Sequence, residues 1–272
     1  MHRQRRGVRG DQVGGRWLAH SALLQALSRR LRLVVASAVI AVASVLQLAL
    51  LLLLLPHRRL RIVTSNLYVR VLARVCIWLA GIRLEITGME HLDLRRPALY
   101  VCNHVSLLDI LIAMRILPLG TTAVAKKEIA WVPFVGWVYL LSGSLRVDRS
   151  SRAEAVAALR RQGTWVRRLR VSIIIWPEGT RSRTGRLLPF KKGFAHLALQ
   201  TGLPIVPIVV AGAHKVWSAE GFDFRPGTAV RVEVVAPVDT TGWKLDSLER
   251  HIAEIRGLYL DRLPADQRPT ST

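Results

Sequence analysis

The chain has 272 residues, 51% of them apolar and 21% charged, with 40 Lys and Arg against 18 Asp and Glu for a formal net charge of +22. That length suits one sizeable α/β domain plus a short appendage, and the apolar, strongly basic balance points to a membrane surface, or to nucleic acid if the charge is clustered to meet phosphates. Two cysteines, Cys76 and Cys102, each inside an apolar stretch, exclude a disulfide framework and a Cys-based zinc site.

Residues 1–32 form a basic segment in which Arg3, Arg5, Arg6, Arg9, Arg16, Arg29, Arg30 and Arg32 stand against a lone Asp11, a composition that reads most simply as a solvated tail. From Leu33 to Leu55 run 23 residues without a charge, enough, at about 1.5 Å per helical residue, to reach across the hydrocarbon core of a bilayer. The run exceeds the ~7–15 residues of a cleavable signal and leads into LLLLLPHRRLR. A retained membrane helix, transmembrane or re-entrant, is therefore expected at 33–55. Arginines flank both ends, which leaves the positive-inside rule without an orientation. Residues 58–82 then place Arg70 and Arg74 four apart among Leu, Val, Ile and Trp, the pattern of an amphipathic helix lying in the headgroup region; a buried core helix would carry the same residues.

Beyond residue 82, short β-branched runs alternate with helical stretches, which argues for an α/β domain over 83–262. The strands expected are RLEIT (83–87), ALYVCN (98–103), TTAVA (121–125), SLRVD (144–148), VSIIIW (171–176), PIVPIVV (204–210) and VRVEVVA (230–236). The helices expected cover 106–117, 151–169, 192–202 and 246–263, where apolar residues recur at helical spacing. WVPFVGWVYLL (131–141) suits either the membrane interface or the core. The tail, 263–272, is expected to be disordered.

Three polar constellations interrupt this pattern. Asn103 ends the strand ALYVCN and His104 falls on the turn at its carboxyl end, where open α/β sheets place their sites. Asp109 follows five residues later; on a straight helix the two would differ by about 140°, but a turn before the helix can fold the His back over the Asp. The carboxylate can then hold one ring nitrogen and leave the other as a general base. Alone, this spacing is a weak signal. The second constellation is IIIWPEGTRSRTGRLLPFKKG (173–193), in which Gly179 lets the backbone come close and Arg181 offers a fork suited to phosphate; Arg183, Arg186, Lys191 and Lys192 add positive potential. The third, GSLRVDRSSR (143–152), ends another strand with Arg146, Asp148 and Arg149, which suits an anion or a plain surface ion pair. No Walker loop, dinucleotide fingerprint, G-x-S-x-G elbow or His-rich metal spacing is present.

Taken in order, NHVSLLD, SLRVDR, WPEGTRS and LPIVPIVV resemble the four sequence blocks of the glycerolipid acyltransferases, most closely the 1-acylglycerol-3-phosphate acyltransferases, and the similarity covers roughly residues 80 to 215. The resemblance implies an α/β fold with a mixed, largely parallel sheet flanked by helices, glycerol-3-phosphate acyltransferase-like, preceded by an N-terminal membrane helix. It implies transfer of a fatty acyl group from acyl-CoA or acyl carrier protein to the sn-2 hydroxyl of lysophosphatidate, giving phosphatidate. His104 would be the general base and Asp109 its orienting partner, with Asn103, Arg149, Glu178, Gly179, Thr180, Arg181 and Lys192 as substrate-binding residues. Pro207 would shape the acyl-chain side. No metal or other cofactor is expected, the donor being a substrate. The partners expected are the phospholipid bilayer, lysophosphatidate and the donor, not nucleic acid, with the catalytic domain at the membrane interface on the cytoplasmic face. Trp176 stands where a Phe is usual in the family and Arg146 lies in a less apolar lead than usual; neither departure is expected to touch the chemistry, although Arg146 could alter head-group preference. The alternatives are a lysophospholipid acyltransferase for another head group and, in a different class, a non-catalytic basic protein tethered to the membrane.

Overall fold

The computed structural model describes residues 31, 34–35, 37–92, 96–125, 135–146, 164–218 and 229–270. The Arg-rich start, the 126–134 and 147–163 stretches with Arg149, and the last two residues lie outside the described residues. The chain divides into two compact units, Met1–Val42 and Ala43–Thr272. The described residues of the first are helical.

Among the described residues, seven strands build the second unit: β1 (Arg83–Thr87), β2 (Leu99–Cys102), β3 (Thr121–Ala125), β4 (Leu145–Arg146), β5 (Ser172–Ile175), β6 (Ile205–Ala211) and β7 (Ala229–Val234). They form one sheet in the order β1-β7-β6-β2-β5-β3-β4. Only the β6–β7 pair is antiparallel, so the sheet is mixed and largely parallel. All seven expected strands are present. The helices are α1 (Ser37–Leu53), α2 (Arg58–Leu79), α3 (Leu108–Ile116), α4 (Val135–Leu141), α5 at 164–169, α6 (Gly193–Thr201), α7 (Ala213–Val216) and α8 (Leu248–Arg262).

Side chains alternate across the sheet with period two. Leu99, Val101, Ile173, Ile175 and Val209 face one apolar layer, where α6 and α8 contribute Phe194, Leu197, Ile252, Ile255 and Tyr259. Tyr100, Cys102, Ile174, Val206, Ile208 and Val210 face the other, against α3 with Leu108, Ile112 and Ile116. Covered on both sides, β2 and β6 are buried at every residue, which is why their sequences are continuous apolar runs. The chain leaves β2 by α3 toward β3, on one side, and returns through β5 and α6 to β6 on the other side. β2 is therefore the strand at which the winding reverses, and a crevice is expected beyond its carboxyl end.

Among the described residues, α2 is the one helix long and apolar enough to cross a membrane by length and composition, and α1 is apolar but shorter. Several polar side chains of α2 point into the domain, while Arg59 and Arg74 are exposed. Asn66 accepts from the Gly120 and Thr121 N–H groups at 2.8 and 3.0 Å and donates to Thr121 C=O. Arg58 donates to Gly143 C=O at 2.9 Å and stacks over Trp165, and Arg61 donates to Leu141 C=O. Arg70, read from the sequence as a headgroup-facing residue, donates to Leu117 C=O at the end of α3. Leu60, Leu67, Val71 and Trp78 form an exposed stripe. The tail expected to be disordered from 263 is ordered to residue 270: Ala265–Gln267 is a turn of 3-10 helix, and Leu263 and Gln267 are buried.

Candidate active site

The site is built where β2 ends. In a parallel ladder with Val101 opposite Pro207 and Cys102 opposite Ile208, the next rung would join the main chains of Asn103 and Val210. Instead the Asn103 side chain takes that place: its amide donates to Val210 C=O at 2.9 Å and its oxygen accepts from Val210 N–H at 2.8 Å. Asn103 is fully buried. Expected among the substrate-binding residues, it is placed to hold the turn, and its main chain is released from the sheet just before His104.

The His104 main chain is clamped by the loop that follows β5. Its N–H donates to Glu178 Oε1 at 2.6 Å, and its C=O accepts from Ser182 N–H at 2.9 Å. The ring turns back over the start of α3, with Nδ1 3.1 Å from Asp109 Oδ2. The same oxygen accepts from the Val105 and Ser106 N–H groups at 2.6 and 2.7 Å, as suits a carboxylate in the first turn of a helix. Ser106 accepts from Leu108 N–H and donates to Trp217 C=O, so the turn is fixed from both sides. Asp109 is buried, while a 13% exposure of the His104 side chain leaves the ring an opening to the crevice.

Glu178 is buried as well, so its sequence assignment to substrate binding becomes a bracing position: Oε2 accepts from Leu188 N–H at 2.9 Å while Oε1 holds His104. Burial pushes its carboxyl up to about 7, against the lowering effect of the two N–H donors; Asp109 raises it further and Arg256 lowers it. Because the folded chain holds this proton more tightly than the unfolded chain, whose ordinary value is 4.5, its contribution to stability is fully present below about pH 4.5 and is lost as pH rises through about 7. The slope amounts to on the order of 3 kcal/mol. Glu178→Gln cannot titrate, and its melting temperature is expected to lack that slope. Parallel melting curves for the two proteins between these pH values would show that Glu178 does not titrate there.

Gly179 follows Glu178 at φ 72 in a turn closed by its N–H to Trp176 C=O, a conformation that favours glycine. A Cβ there would sit 3.1 Å from Lys191 Cδ, so the Lys191 stem lies over the turn. Lys192, chosen from the sequence, instead pairs with Glu249 in α8. Thr180 is exposed and Arg181 half-buried on the same loop. Arg149 lies outside the described residues.

Trp176 packs against the His104 ring, with centroids 5.2 Å apart. The Phe-to-Trp departure thus lies beside the imidazole, on one wall of its pocket. From Trp176 an apolar cavity runs between α2, α3 and α4, lined by Val69, Met114, Leu117, Val138, Tyr139 and Ile174 among others. Pro207 is buried in β6 and does not line it. Among the described residues, no group of His, Cys, Asp and Glu is placed to hold a metal ion.

The Acyltransferase family model matches residues 83–211. The 1-acyl-sn-glycerol-3-phosphate acyltransferase of Cocos nucifera is 43% identical over 220 residues, covering 81% of this chain and 70% of that protein, and its counterpart in Limnanthes alba is 40% identical over 238 residues, covering 88% and 84%. The crystal structure of the 1-acyl-sn-glycerophosphate (LPA) acyltransferase PlsC from Thermotoga maritima shares the fold, with a TM-score of 0.61 at 23% identity over 82% of this chain and 96% of that one. The chain thus belongs to the 1-acyl-sn-glycerol-3-phosphate acyltransferases, a family of acyltransferase enzymes.

Proposed function

We propose that the protein transfers a fatty acyl group from a thioester donor, acyl-CoA or acyl carrier protein, to the sn-2 hydroxyl of 1-acylglycerol-3-phosphate, giving phosphatidate. The observation that carries the mechanism is the Nδ1 to Oδ2 hydrogen bond of 3.1 Å between His104 and Asp109. It leaves Nε2 as the basic nitrogen. The acceptor hydroxyl gives its proton to Nε2 as its oxygen attacks the thioester carbonyl carbon, and Asp109 stabilises the imidazolium that forms. The tetrahedral oxyanion collapses, the C–S bond breaks, and the proton leaves with the thiolate. A simple thiol has a pKa near ~8.5, so this leaving group departs without a strong acid.

The same reading gives the apolar cavity behind Trp176 to an acyl chain and the rim of Arg181 and Lys191 to the acceptor phosphate, a role that suits guanidinium and ammonium groups. Arg149 is a further phosphate partner in this reading. Acyltransferase assays with several lysolipid acceptors test it: lysophosphatidate is expected to be acylated fastest, and a stronger preference for another head group would refute the acceptor assignment.

The acceptor and product of this reaction reside in a bilayer, and the exposed stripe of Leu60, Leu67, Val71 and Trp78 on α2 supports docking to one. The inward bonds of Arg58, Arg61, Asn66 and Arg70 favour a helix lying against the membrane rather than across it, since all four polar groups are engaged by the domain. Leu67→Asp with Trp78→Asp is expected to cut co-sedimentation with anionic phospholipid vesicles several-fold while leaving activity on short-chain, water-soluble acceptors near wild type. Unchanged sedimentation would overturn the docking surface.

A further inference from the structure

The end of the chain, beyond the matched 83–211, reaches the His104 turn by two routes. The first is Tyr259 of α8. It is fully buried, packed edge-on against Phe190 with centroids 5.1 Å apart, and its hydroxyl donates to Val101 C=O at 2.6 Å. In a regular ladder that carbonyl would accept from Ile208 N–H, given the Cys102 to Ile208 register. The register keeps that rung in place, so the phenol is a second donor to the same carbonyl. The hydroxyl thus ties α8 to β2 two residues before Asn103, whose own amide is bonded to the main chain of β6.

The second route is Gln267, also fully buried. Its side chain accepts from Gly212 N–H, just past β6, at 2.7 Å, and donates to Gly185 C=O at 3.4 Å. Its main-chain carbonyl accepts from Leu187 N–H at 2.8 Å. The next residue, Leu188, is the one that donates to Glu178, which in turn holds His104. Gly185 has φ 74, and a Cβ there would come within 2.4 Å of the His214 ring, so the strap closes on a loop packed tightly against His214.

We infer that residues 259–268 are a strap belonging to the active site, in which Tyr259 and Gln267 are positioning residues that hold the seam at the end of β2 and brace the 178–188 loop against His104. The inference rests on the reading of His104 as the general base. A buried group that only stabilised the fold would affect turnover no more than it affects the folded fraction, whereas misplacing a base by an ångström costs rate directly.

Tyr259→Phe removes one oxygen and keeps the ring packing, Gln267→Met removes the amide, and Gln267→Glu keeps the acceptor for Gly212. In full-length, membrane-extracted protein, Tyr259→Phe and Gln267→Met are each expected to lower kcat about tenfold with KM for lysophosphatidate within about twofold. Gln267→Glu should recover part of the loss, and hydrogen exchange should rise in peptides covering 183–188 and 208–212. If Tyr259→Phe does not fold, the two Gln267 variants decide. A kcat within twofold of wild type, a loss that only follows the unfolded fraction, or a rise in KM alone would overturn the strap. Failure of the general-base reading is seen separately, as activity retained in His104→Ala, and the exchange measurement tests the strap whatever that result.

Discussion

His104→Ala is expected to lower kcat for lysophosphatidate acylation by about a thousandfold, with little change in KM. A positioned general base contributes about 10²–10⁴ in rate, and here the base is held by main-chain bonds to Glu178 and Ser182 and by a side-chain bond to Asp109, so no neighbouring group is arranged to replace it. The side chain is partly exposed to the crevice, its removal leaves those main-chain bonds in place, and folding should survive. Steady-state kinetics on the purified variant alongside its melting temperature settle the matter. Turnover within a few-fold of wild type would remove His104 from the mechanism.

Asp109→Asn is expected to be nearly as damaging, for a different reason. Asp109 Oδ2 accepts from three donors, His104 Nδ1 and the Val105 and Ser106 N–H groups. An amide oxygen in the same place can accept from all three, but it carries no charge to stabilise the imidazolium that forms. The analogous change in hydrolytic triads costs about 10⁴ in kcat. A loss of 10³ or more, in protein whose melting temperature falls by only a few degrees, is the expected result. The variant should also lose any imidazole NMR signal characteristic of a carboxylate-paired Nδ1–H. Full activity in Asp109→Asn would reduce Asp109 to a helix-capping residue.

Much of this architecture is legible in the amino-acid sequence. All seven strands follow from short runs of Val, Ile and Thr, and α3, α6 and α8 follow from helical spacing, because both periodicities report a buried face to which each residue contributes locally. The His104 and Asp109 pair was legible only beside the other three sequence blocks, since its spacing alone is a weak signal.

Other parts were not. Glu178 read as a substrate residue because nothing in a polar side chain's own neighbourhood reveals that it will be buried against the main chain. Lys191 and Lys192 are adjacent and chemically equal, and only the packing of α8, which brings Glu249 to Lys192, leaves Lys191 over the Gly179 turn. Arg70 read as a headgroup contact because the carbonyl it serves, Leu117, is distant in sequence. Trp176 gave no sign of its contact with His104, because that contact exists only once β2 and β5 lie side by side.

By itself, then, the amino-acid sequence determined the elements, their alternation into an α/β sheet, the basic and apolar character that suits a membrane surface, and the His and Asp that face one another. The tertiary structure decided how that pair is held. Asn103 finds Val210 across 107 residues and Tyr259 finds Val101 across 158, and hydrogen bonds that close over such separations leave no periodic trace, because neither partner's burial depends on its own neighbours in the chain.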